Sequence, residues 1–199
     1  PRIDKELLEK YHEDLIICSA CIGGEIPQHI LNGRMDKAEE SVLWFKNLFG
    51  EDYYLEIQRH ETHDPNAAQD VYPHQVTANK AILELARKHN IKVIATNDVH
   101  FVNAGDAEAH DRLICLSTGK DLDDPNRMRY TKQEWMKTRE EMNELFADVP
   151  EALSNTLEIL DKVEYYSIDH APIMPTFAIP EDFGLSLIHI SEPTRRVVI

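Results

Sequence analysis

Three short apolar runs, "DLIICSA" (14–20), "DYYLEIQ" (52–58) and "IKVIAT" (91–96), recur along the chain with helix-like stretches between them. No other feature of the sequence restricts the fold as much. Runs of this length, rich in β-branched and aromatic residues, read as strands. Between the first two, Ala38, Val42, Phe45 and Phe49 fall three or four apart, and Gly50 stands at the cap position, so a helix is expected from Asp36 to Phe49. Between the second and third, a helix is expected over 73–89, with Val76, Ile82, Leu83 and Ala86 on one side. Strand, helix, strand, helix, strand is the pattern of βαβ units and a parallel sheet covered by helices. Functional loops in such sheets gather at the C-terminal ends of the strands.

The remaining elements follow from local signals. "PQHILNG" predicts a short helix ending at Gly33, and a further helix runs from Asp106 toward Cys115. Thr131 with Glu134, and Thr138 with Glu141, each place a hydroxyl three residues before an acid. Both are capping boxes, and both predict a helix start. Another helix is expected from Asp148, with Pro150 in its first turn and Ala152, Leu153, Thr156, Leu157 and Leu160 along one face. Trp44, Phe45 and Phe49 fall on the helix pattern and read as core.

Lys plus Arg total 21 against 36 Asp plus Glu, a net charge of −15. A surface this acidic repels phosphate over most of its area, which argues against a general nucleic-acid grip. It leaves room for a small metal-centred pocket, where the cation sets the local charge. No apolar run is long enough to span a bilayer, and "PRIDKELLEKYHED" has no apolar centre of the kind a secretory signal needs. Cys18, Cys21 and Cys115 are an odd, low count that favours free thiols in a reducing, cytoplasmic setting.

The candidate chemistry centres on "ATNDVHF" (95–101). Asp98 and His100 are two residues apart, so they lie on one side of an extended chain where the third strand meets its loop. Isolated pairs of this kind more often cap a turn or pack under a loop; the position at a strand end raises the metal-ligand reading. Cys18 lies within the first strand and reads as core, whereas Cys21 falls in the glycine loop "CIGGEIP" as a thiolate candidate on the same end of the sheet. His60-Glu61-Thr62-His63 is one residue short of the H-E-x-x-H spacing and reads as a solvated loop. Gly23 and Gly24 belong to no nucleotide-binding fingerprint, and no serine sits in a G-x-S-x-G elbow.

"SACIGGEIP", "YYLEIQRH", "IKVIATNDVHF", "DDPNRMRY" and "EEMNELFADVPEALSNTLEI" together resemble the polymerase-and-histidinol-phosphatase (PHP) domain of bacterial replicative DNA polymerase III alpha subunits, over about residues 10 to 183. The resemblance implies part of a TIM-like barrel of about seven β/α units, with a metal cluster at the C-terminal strand ends. It assigns metal ligation to Cys21, Asp98 and His100, with Asp98 and His100 as catalytic residues. The metal would be zinc, manganese or iron, polarising a phosphoryl oxygen and activating water for 3′–5′ exonuclease chemistry. The family's early His-x-His and other ligands are expected upstream of Pro1, and its polymerase aspartates, with their magnesium, downstream of Gly184. The expected organisation is 1–130 as the C-terminal part of the barrel and 131–184 as a helical segment leading toward the polymerase. Residues 185–199 resemble the translation of a sequencing-adapter oligonucleotide. Partners implied are DNA, deoxynucleotides, other replicase subunits and the sliding clamp, with no membrane. The segment alone is expected to be inactive. Two alternatives stand beside this reading: a non-catalytic PHP scaffold in the same polymerase, and a stand-alone PHP-type phosphoesterase.

Overall fold

The structure, a computed structural model, describes residues 3–173. The adapter-like stretch at 185–199 lies outside the described residues. In chain order the elements are α1 (Lys5–Lys10), β1 (Ile17–Cys18), α2 (Glu25–Leu31), α3 (Met35–Phe49), β2 (Tyr53–Ile57), α4 (Val71–His89), β3 (Val93–Ala95), α5 (Ala107–Thr118), α6 (Arg139–Leu145) and α7 (Glu151–Lys162). Among the described residues the strands form one parallel sheet in the order β1-β2-β3, with Ile17 opposite Tyr53 and Leu55 opposite Val93. This is the α/β arrangement that the alternation predicts. A closed barrel is not formed by these three strands.

One face of the sheet carries the main core. Tyr53, Leu55 and Ile57 of β2 and Val93 and Ala95 of β3 pack with Val42 of α3 and Ile82 and Leu85 of α4. The alternation of a strand sends Tyr54 and Glu56 the other way. Tyr54 is fully buried there, and its hydroxyl donates to Glu158 of α7 (2.6 Å). Helix α7 also closes the outer edge of β3, because Asn155 Nδ2 donates to the Val93 carbonyl (2.8 Å). An edge carbonyl is thereby satisfied without another strand.

The elements depart from the sequence reading in four places. The chain divides into units Pro1–Val163 and Glu164–Ile199. Phe146, Val149 and Ala152 join the core of the first. Asp148 does not open a helix. Its carboxylate instead holds the Arg59 guanidinium through two bonds (2.6 and 2.8 Å), and α7 begins after Pro150. Val76 is exposed, whereas Gln75 and Asn79 join Ala78, Ile82, Leu85 and Ala86 on the buried face of α4. Leu157 and Leu160 of α7 are also exposed. The second capping box opens α6 as predicted, with Thr138 and Glu141 bonded reciprocally. The first, Thr131 with Glu134, forms without a helix behind it.

Candidate functional site

The loop after β1 carries Cys21. Its path is set by backbone constraints: Ala20 has a left-handed φ of +64°, and the Gly24 amide donates back to the Cys21 carbonyl (2.8 Å). A Cβ on Gly24 would lie 2.5 Å from the Ser19 carbonyl oxygen, so only glycine fits. Ser19 fastens the loop to β2, since its Oγ accepts the Glu56 amide (2.8 Å). Cys21 is half-buried at this rim. Cys18, in the strand, has its thiol pushed up to about 11, first by burial and then by the nearby Glu56 carboxylate. It remains a protonated thiol at neutral pH, but it is half-buried like Cys21 and not part of the core that its place in the strand suggests.

The last ladder bond of β3 runs from the Thr96 amide to the Ile57 carbonyl (3.1 Å), and "NDVH" begins immediately beyond it. Asn97 is buried, Asp98 takes a left-handed φ of +44°, and Asp98 and His100 are exposed. Asp98 Oδ1 lies 3.6 Å from His100 Nε2. The pair is thus side by side just beyond the strand's C-terminal end, in a loop whose backbone at Asp98 is left-handed and not extended. The His100 ring packs against Tyr130 (4.6 Å between centroids) and His110 (5.6 Å). Burial first, and then the nearby carboxylates of Asp98 and Glu134, push the pKa of the Tyr130 phenol up.

His60 departs from the sequence reading. It is 2 % exposed, not in a solvated loop. Its amide donates to Gln75 Oε1 (2.7 Å), its Nε2 donates to the Asn97 carbonyl (3.2 Å), and its Nδ1 accepts from Gln75 Nε2 (3.1 Å). Burial pushes its pKa down, which keeps the ring neutral. Both nitrogens are engaged, so His60 serves here as an internal strut. The signal was present in the sequence: Tyr54, Glu56, Gln58 and His60 continue the period of two past the end of β2. His110 and Tyr130 carried no comparable signal. They reach the site through α5 and the loop after it, and only the fold brings them to His100.

The donor set of Cys21, Asp98 and His100 is chemically suited to a divalent transition metal. Among the described residues, however, no group of three or more His, Cys, Asp or Glu side chains is gathered closely enough to hold one. Asp98 and His100 are brought together; Cys21 does not close with them into a three-ligand set. The segment therefore does not fit a complete metal site by itself.

A family model for the PHP domain matches residues 1–60. The DNA polymerase III subunit alpha of Borreliella burgdorferi is 44% identical over 186 residues, covering 92% of this chain and 15% of that protein. The same subunit of Campylobacter jejuni is 39% identical over 195 residues, again covering 92% of this chain and 15% of the relative. That of Thermus aquaticus is 35% identical over 195 residues, covering 91% and 15%. The chain thus spans about 15% of the length of these relatives. It is homologous, over nearly its whole length, to a segment of bacterial DNA polymerase III alpha subunits, and its first sixty residues match the PHP domain.

Proposed function

We propose that this chain is part of the PHP domain of a replicative DNA polymerase III alpha subunit, and that it supplies Asp98, His100 and Cys21 to a metal-dependent phosphodiester-cleaving site. The observation that carries the reading is the Asp98–His100 pair, 3.6 Å apart at the C-terminal end of β3. The metals are zinc, manganese or iron, and the ligands that complete their coordination come from outside this segment, in a barrel of about seven units that three strands cannot close. The substrate is a DNA strand end, trimmed in the 3′–5′ direction. The whole subunit is a DNA-directed DNA polymerase of the cytoplasm, working on deoxynucleotides with magnesium at a site beyond this segment, and meeting the sliding clamp and other replicase subunits. The test is trimming of a mispaired primer end by the full-length subunit. Loss of trimming on chelation and in an Asp98→Asn variant supports the proposal; trimming unchanged in that variant overturns it.

A second reading has its own observation. The exposed pair and the absence of a three-ligand group among the described residues suit a PHP domain that serves as scaffold for the polymerase. In that case Asp98→Asn leaves polymerisation and trimming untouched. The stand-alone phosphoesterase has no such support, because the relatives reported above are polymerase subunits.

A further inference from the structure

The Thr131–Glu134 box has no helix to cap, and the segment that contains it touches the candidate site at four points. Glu134 is 3 % exposed, and its Oε1 accepts from both the Thr131 amide (3.0 Å) and the Thr131 hydroxyl (2.6 Å). That closed turn fixes the direction of the Glu134 carbonyl, which accepts the His100 amide (2.8 Å). On either side of it, the carbonyls of Gln133 and Trp135 accept from Asn97 Nδ2 (3.0 and 2.7 Å). The Met136 amide donates to the Phe101 carbonyl (3.1 Å), and Phe101 and Trp135 form a parallel bridge.

Asn97 is the hinge of this arrangement. Its side chain is bound by the 133–135 backbone, and its own carbonyl is bound by buried His60. The next residue, Asp98, holds a left-handed backbone, a conformation open to Asp and Asn more readily than to other side chains. Bonds to Asn97 on one side and to the His100 amide on the other pin Asp98 between them.

We propose that Asn97 is a positioning residue, which with the Thr131–Glu134 turn clamps the "NDVH" loop and sets Asp98 and His100 side by side. The clamp rests on reading Asp98 and His100 as the functional pair, but its physical content needs no metal. It also assigns a purpose to a capping box that starts nothing: the box shapes a backbone acceptor instead of a helix end.

Amide hydrogen exchange on the 199-residue chain, followed by NMR together with the ring 15N signals of His100, tests it. In Asn97→Ala, exchange at His100 and Phe101 is expected to quicken at least about tenfold, while Leu55 and Ile57 in the central strand keep their protection. The His100 ring signals shift, and those of His12, far along the chain, do not. Glu134→Gln retains an acceptor for Thr131 and the same backbone carbonyl, so His100 stays protected in that variant. Unchanged exchange and ring signals at His100 in Asn97→Ala overturn the proposal. So does equal loss of protection at Leu55, which makes Asn97 a general structural residue. Because no metal enters the measurement, this failure is separate from a failure of the metal-site reading.

Discussion

Replacing Gly24 by alanine tests how tightly the Cys21 loop is built. The added Cβ would lie 2.5 Å from the Ser19 carbonyl oxygen and 3.1 Å from that of Cys21, and both atoms are backbone. Neither can swing away as a side-chain end would. Restoring ordinary contact requires the loop to move by about 1 Å, against the Ser19 tie to β2 and the turn bond from Gly24 to Cys21. Overpacking of this kind costs about 1–3 kcal/mol. Gly23→Ala and Gly105→Ala are the controls. At Gly23 the nearest atom is Cys21 Sγ at 3.6 Å, and at Gly105 nothing lies within 4 Å. Urea unfolding of the three variants beside the parent is the assay. A loss of about 1–3 kcal/mol in Gly24→Ala, with both controls within about 0.5 kcal/mol of the parent, is expected. A Gly24→Ala chain as stable as the controls refutes the argument that this loop admits no side chain.

Other predictions concern titration and reactivity. With its thiol raised to about 11, Cys18 should resist iodoacetamide at pH 8 while half-buried Cys21 is modified, as peptide mass spectrometry would read. Lys137 sits 3.5 Å over the Trp135 ring, and burial lowers its pKa to about 8. Its folded pKa is below its unfolded one, so the unfolded chain binds more protons at this group from about 8 to 10.5, and the contribution of Lys137 to stability rises with pH across that window, against the opposite contribution of Cys18 above about 9. Lys137→Met should remove that contribution, so that stability rises less, or falls more, with pH than in the parent between about 8 and 10.5; an unchanged slope contradicts the assignment. Glu158 is held at about 2, first by its bond from Lys92 and then by Tyr54. Its stabilising effect is present above the usual carboxylate range and lost as pH falls from about 4.5 toward 2. Glu158→Gln should remove that part of the acid unfolding profile.

Sequence reading reached the sheet because buried parallel strands announce themselves as apolar runs. "KVIA" and "YYLEI" need no tertiary information to be recognised. Their ends were less legible: "DLIICSA" contributes only Ile17 and Cys18 to the sheet, where β1 lies beside β2, and Asp14 and Ala20 on either side have left-handed φ. The place of Asp98 and His100 at the end of β3 was legible from the apolar run before them, but the left-handed backbone at Asp98, which replaces the expected extended chain, was not. His60 was misread, since the polar stretch after it hid the continuing alternation of β2. Glu134 was misread as well, because a capping box satisfies donors whether or not a helix follows. His110, Tyr130 and Asn97 depend on contacts between distant segments, which local patterns do not contain.

The central claim is that "NDVH" belongs to a metal site. Metal content by mass spectrometry of the full-length alpha subunit, beside a His100→Arg variant, tests it most directly. The account predicts bound transition metal in the parent and its loss in the variant, with the variant still folded and able to polymerise. A parent without metal, or a variant that keeps the parent's full complement, contradicts it.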